Sequence, residues 1–104
     1  MSRAAAGLLR ALLHRVEESH HRILLIEATS NDWQSLTFTG EQHQIALRIA
    51  GPGAGAVLAA LVDGLADAEF EIPGHLVADI AALPAAEEPD GSVSVRIEAL
   101  TLAQ

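Results

Sequence analysis

The chain has 104 residues, with 14 acidic against 6 basic side chains, a formal charge of −8, no cysteine and no lysine. That length suits one domain spanning residues 1–104 and excludes a multidomain enzyme, while the missing cysteines exclude disulfides, thiolate metal sites and cysteine nucleophiles. Nucleic acid and anionic membranes are poor partners, because Arg3, Arg10, Arg15, Arg22, Arg48 and Arg96 are scattered among more than twice as many carboxylates.

A cysteine-free acidic chain fits a cytoplasmic location. Residues 3–19 carry Leu8, Leu9, Leu12, Leu13 and Val16 at helical spacing, opposite Arg3, Arg10, His14, Glu17 and Glu18. This is the pattern of an amphipathic helix. The same stretch is free of acids before Glu17, as a transit peptide would be, but its stripe reads better as part of the fold. A strand is expected at 22–29, a turn at Ser30, Asn31 and Asp32, a second strand at 33–39, and a turn at 40–42. Residues 43–50 then alternate, with Ile45, Leu47 and Ile49 on one face and Gln44, Ala46 and Arg48 on the other.

The glycine-rich turn 51–55 ends this strand, and a second helix is expected after it up to about Asp67, with Val57, Leu58, Leu61, Val62 and Leu65 as its stripe. Residues 68–72 alternate briefly, and Pro73 and Gly74 make a turn. Residues 75–83 fit both periods, with strand preferred. An acidic loop at 84–91 leads into a last strand from Val93, where Leu100 and Leu102 imply a bulge near Ala99 that shifts them to the other face.

The expected class is α+β, an antiparallel sheet of about five strands with two helices in the order α-β-β-β-α-β-β. Ile23, Leu24, Leu25 and Ile26 are apolar at successive positions, which suits a central strand covered on both faces. Two helices on one side leave the other side to be covered, and a second copy of the chain is the simplest cover, so a homodimer is expected. The acidic loop 84–91 folding over that face is the alternative. The element order resembles that of the small acidic dimeric chaperones of bacterial type III secretion, without their extra C-terminal helix. That resemblance implies a protein partner.

The glycine pattern Gly51-x-Gly53-x-x-Ala56, with Glu69 and Glu71 downstream, resembles a dinucleotide fingerprint, but the alternating strand before it and the short chain argue against a parallel nucleotide-binding sheet. A lone anion at Gly51, Gly53 and Gly55, helped by His43 or His75, is the ligand-binding alternative. His14, Glu17, Glu18 and His21 share one side of a helix, yet read as solvated surface rather than a metal site. No serine lies in a nucleophile elbow, and no acid, base and nucleophile stand together. The preferred reading is a non-enzymatic module that needs no cofactor and binds another polypeptide through Trp33, Leu24 and Ile26. A small-molecule or anion binder is second, and a small enzyme without a recognisable motif third.

Overall fold

A computed structural model describes residues 1–104. Ser2 caps the first helix, its hydroxyl accepting from the Ala5 amide at 3.1 Å. Helix α1 (Arg3–His14) buries Ala4, Ala5, Leu8 and Leu12. Leu8 and Leu12 are fully buried, and each stabilises the fold by about 1.5–3 kcal/mol. The helix stops before residue 19. Arg15 keeps α-helical backbone angles as the last residue of the turn and the chain leaves the helical path at Val16, while the Arg15 guanidinium donates to the backbone carbonyls of Leu61, at 2.9 Å, and Asp63. It thereby satisfies orphan carbonyls at the end of the second helix. Glu17–Arg22 then forms a 3-10 turn rather than a continuation of α1.

Strands β1 (Ile23–Gln34) and β2 (Thr39–Ile49) form one long antiparallel hairpin. Helix α2 (Ala54–Val62) follows the glycine turn and is shorter than expected, with Leu65–Asp67 as a separate 3-10 turn. Strands β3 (His75–Ala82), β4 (Ala86–Glu87) and β5 (Val93–Ala103) complete an antiparallel sheet ordered β1-β2-β5-β3, with β4 extending the β3 edge along β5. Residues 75–82 are thus strand. The α+β class, five strands and two helices are as the sequence implies. Two strands precede α2 and three follow it, however, a partition that departs from the three-then-two order of the type III secretion chaperones.

The alternation along β2 and β5 sorts the two faces of the sheet. Ile45, Leu47 and Ile49 point with Val95, Ile97 and Ala99 toward the helices, where Leu8, Leu12, Val57 and Leu61 close one aliphatic core. Both helices lie on that face.

Gly55 sits inside α2 with open space around the position its Cβ would take. The variant Gly55→Ala is therefore expected to stabilise the protein by about 0.4–1 kcal/mol. A raised urea midpoint checks this, and a lowered one contradicts it.

Candidate functional site: the open face of the sheet

The residues that alternate away from the core have no helix above them. In β1 they are Leu24, Glu27, Thr29, Asn31 and Trp33; in β2, Gln42, Gln44, Ala46 and Arg48; in β5, Ser94, Arg96, Glu98, Leu100 and Leu102. Leu76, Asp79 and Ala81 face the same way from β3. Only 22 of 104 residues are buried. The accessible surface of 6308 Å² exceeds the roughly 5,600 Å² expected for a compact chain of this mass.

The apolar run at Ile23 to Ile26 does not build a central strand. β1 is an edge, and Ile26 is the extra residue of a bulge between Leu25 and Glu27. The bulge breaks the alternation, so Leu24 and Ile26 remain 51% and 54% exposed beside half-exposed Leu25. A free edge twelve residues long with exposed aliphatic side chains is a ready template for another chain.

The expected bulge near Ala99 is also absent. β5 keeps an unbroken register with β2 from Val93 to Leu102, and the irregularity lies in β3 at Ala78. Leu100 and Leu102 therefore keep step with Arg96 and Glu98 on the open side of the sheet, Leu100 half-buried and Leu102 only 9% exposed. The loop 84–91 does not fold over that face as a whole; β4 within it pairs with Val93 and Ser94 along the sheet edge. Pro84 joins Ile26, Ala46, Arg48, Ser94 and Arg96 around a depression of about 230 Å³, and the Glu88 carboxylate accepts from the Ser94 hydroxyl at 2.9 Å.

Trp33, Leu24 and Ile26 all lie on this open side, Trp33 opposite Gly40 at the far end of the hairpin. The glycine turn is elsewhere. Gly51 and Gly53 precede α2 and Gly55 lies in its first turn, and Arg22 donates there to the carbonyls of Ala50, at 2.8 Å, and Pro52 and occupies the space beside Gly51. His43 lies eight residues back along β2 from Gly51, about 25 Å at strand rise. His75 stands at the same remote end, lining a cleft of about 400 Å³ with Asp32, Glu41 and Thr101. The structure therefore gathers the glycines and separates them from both histidines. His14 and Glu17 meet at 2.9 Å in solvent, and no group of three metal-ligating side chains forms.

His43 is the residue whose setting the sequence conceals. It is 1% exposed, with Nδ1 at 2.7 Å from the Ser30 hydroxyl and Nε2 at 2.8 Å from that of Thr101. Both ring nitrogens are satisfied by hydroxyls that donate or accept as the tautomer requires. Ser30 is the strand residue directly across from it, not part of a turn. Burial lowers the pKa of His43 below its ordinary 6.5; Glu41 opposes this and His75 adds to it. The folded state thus resists a proton that the unfolded chain accepts, so this contribution to stability is complete above about pH 7 and declines as pH falls below 6.5. Between pH 7.5 and 5.5 the wild type is expected to lose stability relative to His43→Gln, measured by urea unfolding. Parallel pH curves for the two proteins contradict this.

No helix is long and apolar enough to cross a membrane. No protein-family model matches the chain, and no curated protein sequence matches it. Among solved structures, a chain in the virion of a native gene transfer agent particle superposes with a TM-score of 0.60 at 17% identity, over 96% of this chain and 95% of that one. The type 4 fimbrial biogenesis protein PilO from Pseudomonas aeruginosa gives a TM-score of 0.47 at 18% identity, over 94% of this chain and 65% of that one. At 17% identity the likeness to the virion chain is one of fold alone.

Proposed function

We propose that the protein is a small non-enzymatic interaction module, dimeric through its sheet, that binds another polypeptide on that layer. The observation that carries this reading is the half-covered sheet. One face holds the whole core, while the other face and the β1 edge offer Leu24, Leu25, Ile26, Leu76 and Leu83 to solvent. Apolar side chains so placed beside unpaired strand amides favour a polypeptide over a small ligand. The acidic charge and scattered arginines turn nucleic acid and anionic membranes away. That a chain of an assembled particle has a similar fold is in keeping with a role in assembly.

Light scattering at micromolar concentration is expected to give twice the 10.9 kDa chain mass. A photo-crosslinking side chain at position 24 is expected to give discrete polypeptide adducts in cell extract, whereas the same group at the exposed helix position 59 gives none. A single-chain mass with no adduct from position 24, together with a melting temperature raised by phosphate or nucleotide, would overturn the reading.

A further inference from the structure

Edge strands are commonly blunted by lysine, proline or a bulge, and of these residues 23–34 have only the bulge at Ile26. The Ala50 amide donates to the Arg22 carbonyl and the Ser35 amide to the Phe38 carbonyl, each at 2.9 Å, and both pairs continue the register of the hairpin. In an antiparallel ladder every second residue bonds to its partner, so these two points fix the alternation on either side of the bulge. Leu24, Glu27, Thr29, Asn31 and Trp33 bond to β2. Leu25, Ala28, Ser30 and Asp32 turn their N–H and C=O groups outward, where no strand receives them. Such a row of donors and acceptors is matched by another extended backbone, and not by a helix or a small ligand.

Charge selects among extended backbones. Glu27 and Asp32 are the only charged residues of β1, and Asp32 stands directly opposite Glu41 on β2. Like charges so placed repel. The protein does not relieve this, because its ion pair joins His14 to Glu17 and no base lies within ion-pairing distance of these three carboxylates. A second β1 does not supply the missing cations. In any antiparallel register, two copies of β1 set Glu27 and Asp32 against each other or against neutral residues, between chains of charge −8 each. Arg22, just before β1, is held by the carbonyls of Ala50 and Pro52. Toward that end Leu24, Leu25 and Ile26 continue the edge as an exposed apolar stretch.

We infer that the β1 edge takes an extended basic segment of the bound polypeptide as an added antiparallel strand, hydrogen-bonded to Leu25, Ala28, Ser30 and Asp32, with one lysine or arginine opposite Asp32, a second opposite Glu27, and apolar residues beyond it along Leu24 to Ile26. The inference rests on the polypeptide-binding reading above and states the chemistry of the segment bound. The antiparallel sense is that of every other pair in the sheet. Between Glu27 and Asp32 the register runs without a break, so the two cations stand five residues apart, the one opposite Asp32 coming first. An odd spacing places them on opposite faces of the added strand, as Glu27 and Asp32 are on β1.

Titration calorimetry with the capped synthetic peptide Lys-Thr-Val-Thr-Val-Lys-Val-Ile-Val tests this. Replacing both lysines of the peptide by glutamate is expected to weaken binding about 10-fold. The glutamate peptide is expected to recover binding to the double variant Glu27→Lys with Asp32→Lys, whose replaced side chains are both exposed, and that recovery also shows the variant to be folded. Methylated peptide amides separate strand pairing from charge attraction. Methyl groups on the third and fifth residues, opposite Ser30 and Ala28, are expected to abolish binding, and methyl groups on the second and fourth to leave it. Equal binding by the lysine and glutamate peptides, or by the two methylated peptides, overturns the inference. So does a peptide that splits a two-chain wild type into single chains, which gives the edge to a second copy and leaves the dimeric reading standing. No binding at about 1 mM, with polypeptide adducts still formed from position 24, overturns the inference alone. No binding and no adducts remove the proposed polypeptide partner with it.

Discussion

Replacing Gly40 with alanine is expected to lower the melting temperature by roughly 10–20 °C, corresponding to about 2–3 kcal/mol of overpacking in a domain of this size. Gly40 sits where β2 begins, between Trp33 on β1 and Leu102 on β5. An added Cβ would lie 2.0 Å from the Thr101 carbonyl oxygen and 3.1 Å from Leu102 Cδ2. The nearer atom is backbone in the middle of the sheet, so no rotamer change relieves the overlap and the two strands must separate. His43, which shares Thr101 as a partner, would lose its alignment in the same movement. Thermal unfolding of Gly40→Ala by circular dichroism measures the effect. A melting temperature within about 3 °C of wild type would show that the close approach of β2 and β5 is misplaced.

Ile97→Ala is expected to cost about 2–5 kcal/mol, a large part of the 5–15 kcal/mol that holds a typical domain together. Ile97 is 0% exposed and stands on β5 between Ile45 on β2 and Ala82 on β3, beneath the helices. With rigid strands on either side, the space left by the removed methyl groups does not close. Ile26→Ala, on the open side, is the matched comparison, expected to change the stability of the isolated chain by less than about 0.5 kcal/mol. Urea unfolding at low protein concentration separates the two. Similar losses for both would mean that Ile26 belongs to a core, and the distinction between the two faces would collapse.

The fold class was legible because several local signals agreed. The stripe through Leu8 and Leu12 and the alternation of 43–50 both hold, and the glycine-rich break holds over 51–53, with α2 beginning at Ala54. Strand boundaries were harder. Ser30, Asn31 and Asp32 carry turn chemistry, but the hydrogen bond from Ser30 to His43 and eleven residue pairings with β2 keep them in a strand. The reversal falls instead at Ser35, whose amide donates to the Phe38 carbonyl at 2.9 Å.

Helix ends were illegible for a similar reason. The capture of the Leu61 carbonyl by Arg15 spans 46 residues, and no local pattern announces it. The run Ile23 to Ile26 looked doubly buried because hydropathy does not reveal a bulge at an edge. On the candidate site, the exposed pair Leu24 and Ile26 was named for a physical reason that changed, from a covered central strand to an uncovered edge. Arg48 and Arg96 are far apart in the sequence, and only the register of β2 against β5 makes them neighbours.

The central claim is that this protein associates through the uncovered side of its sheet, and hydroxyl-radical footprinting at high and low protein concentration tests it most directly. Concentrating the protein is expected to slow oxidation of Leu24, Ile26, Trp33 and Leu76, while Met1 and the fully exposed Leu36 at the hairpin tip keep their rates. Equal rates at both concentrations, or protection confined to Leu36 and Phe38, would contradict it.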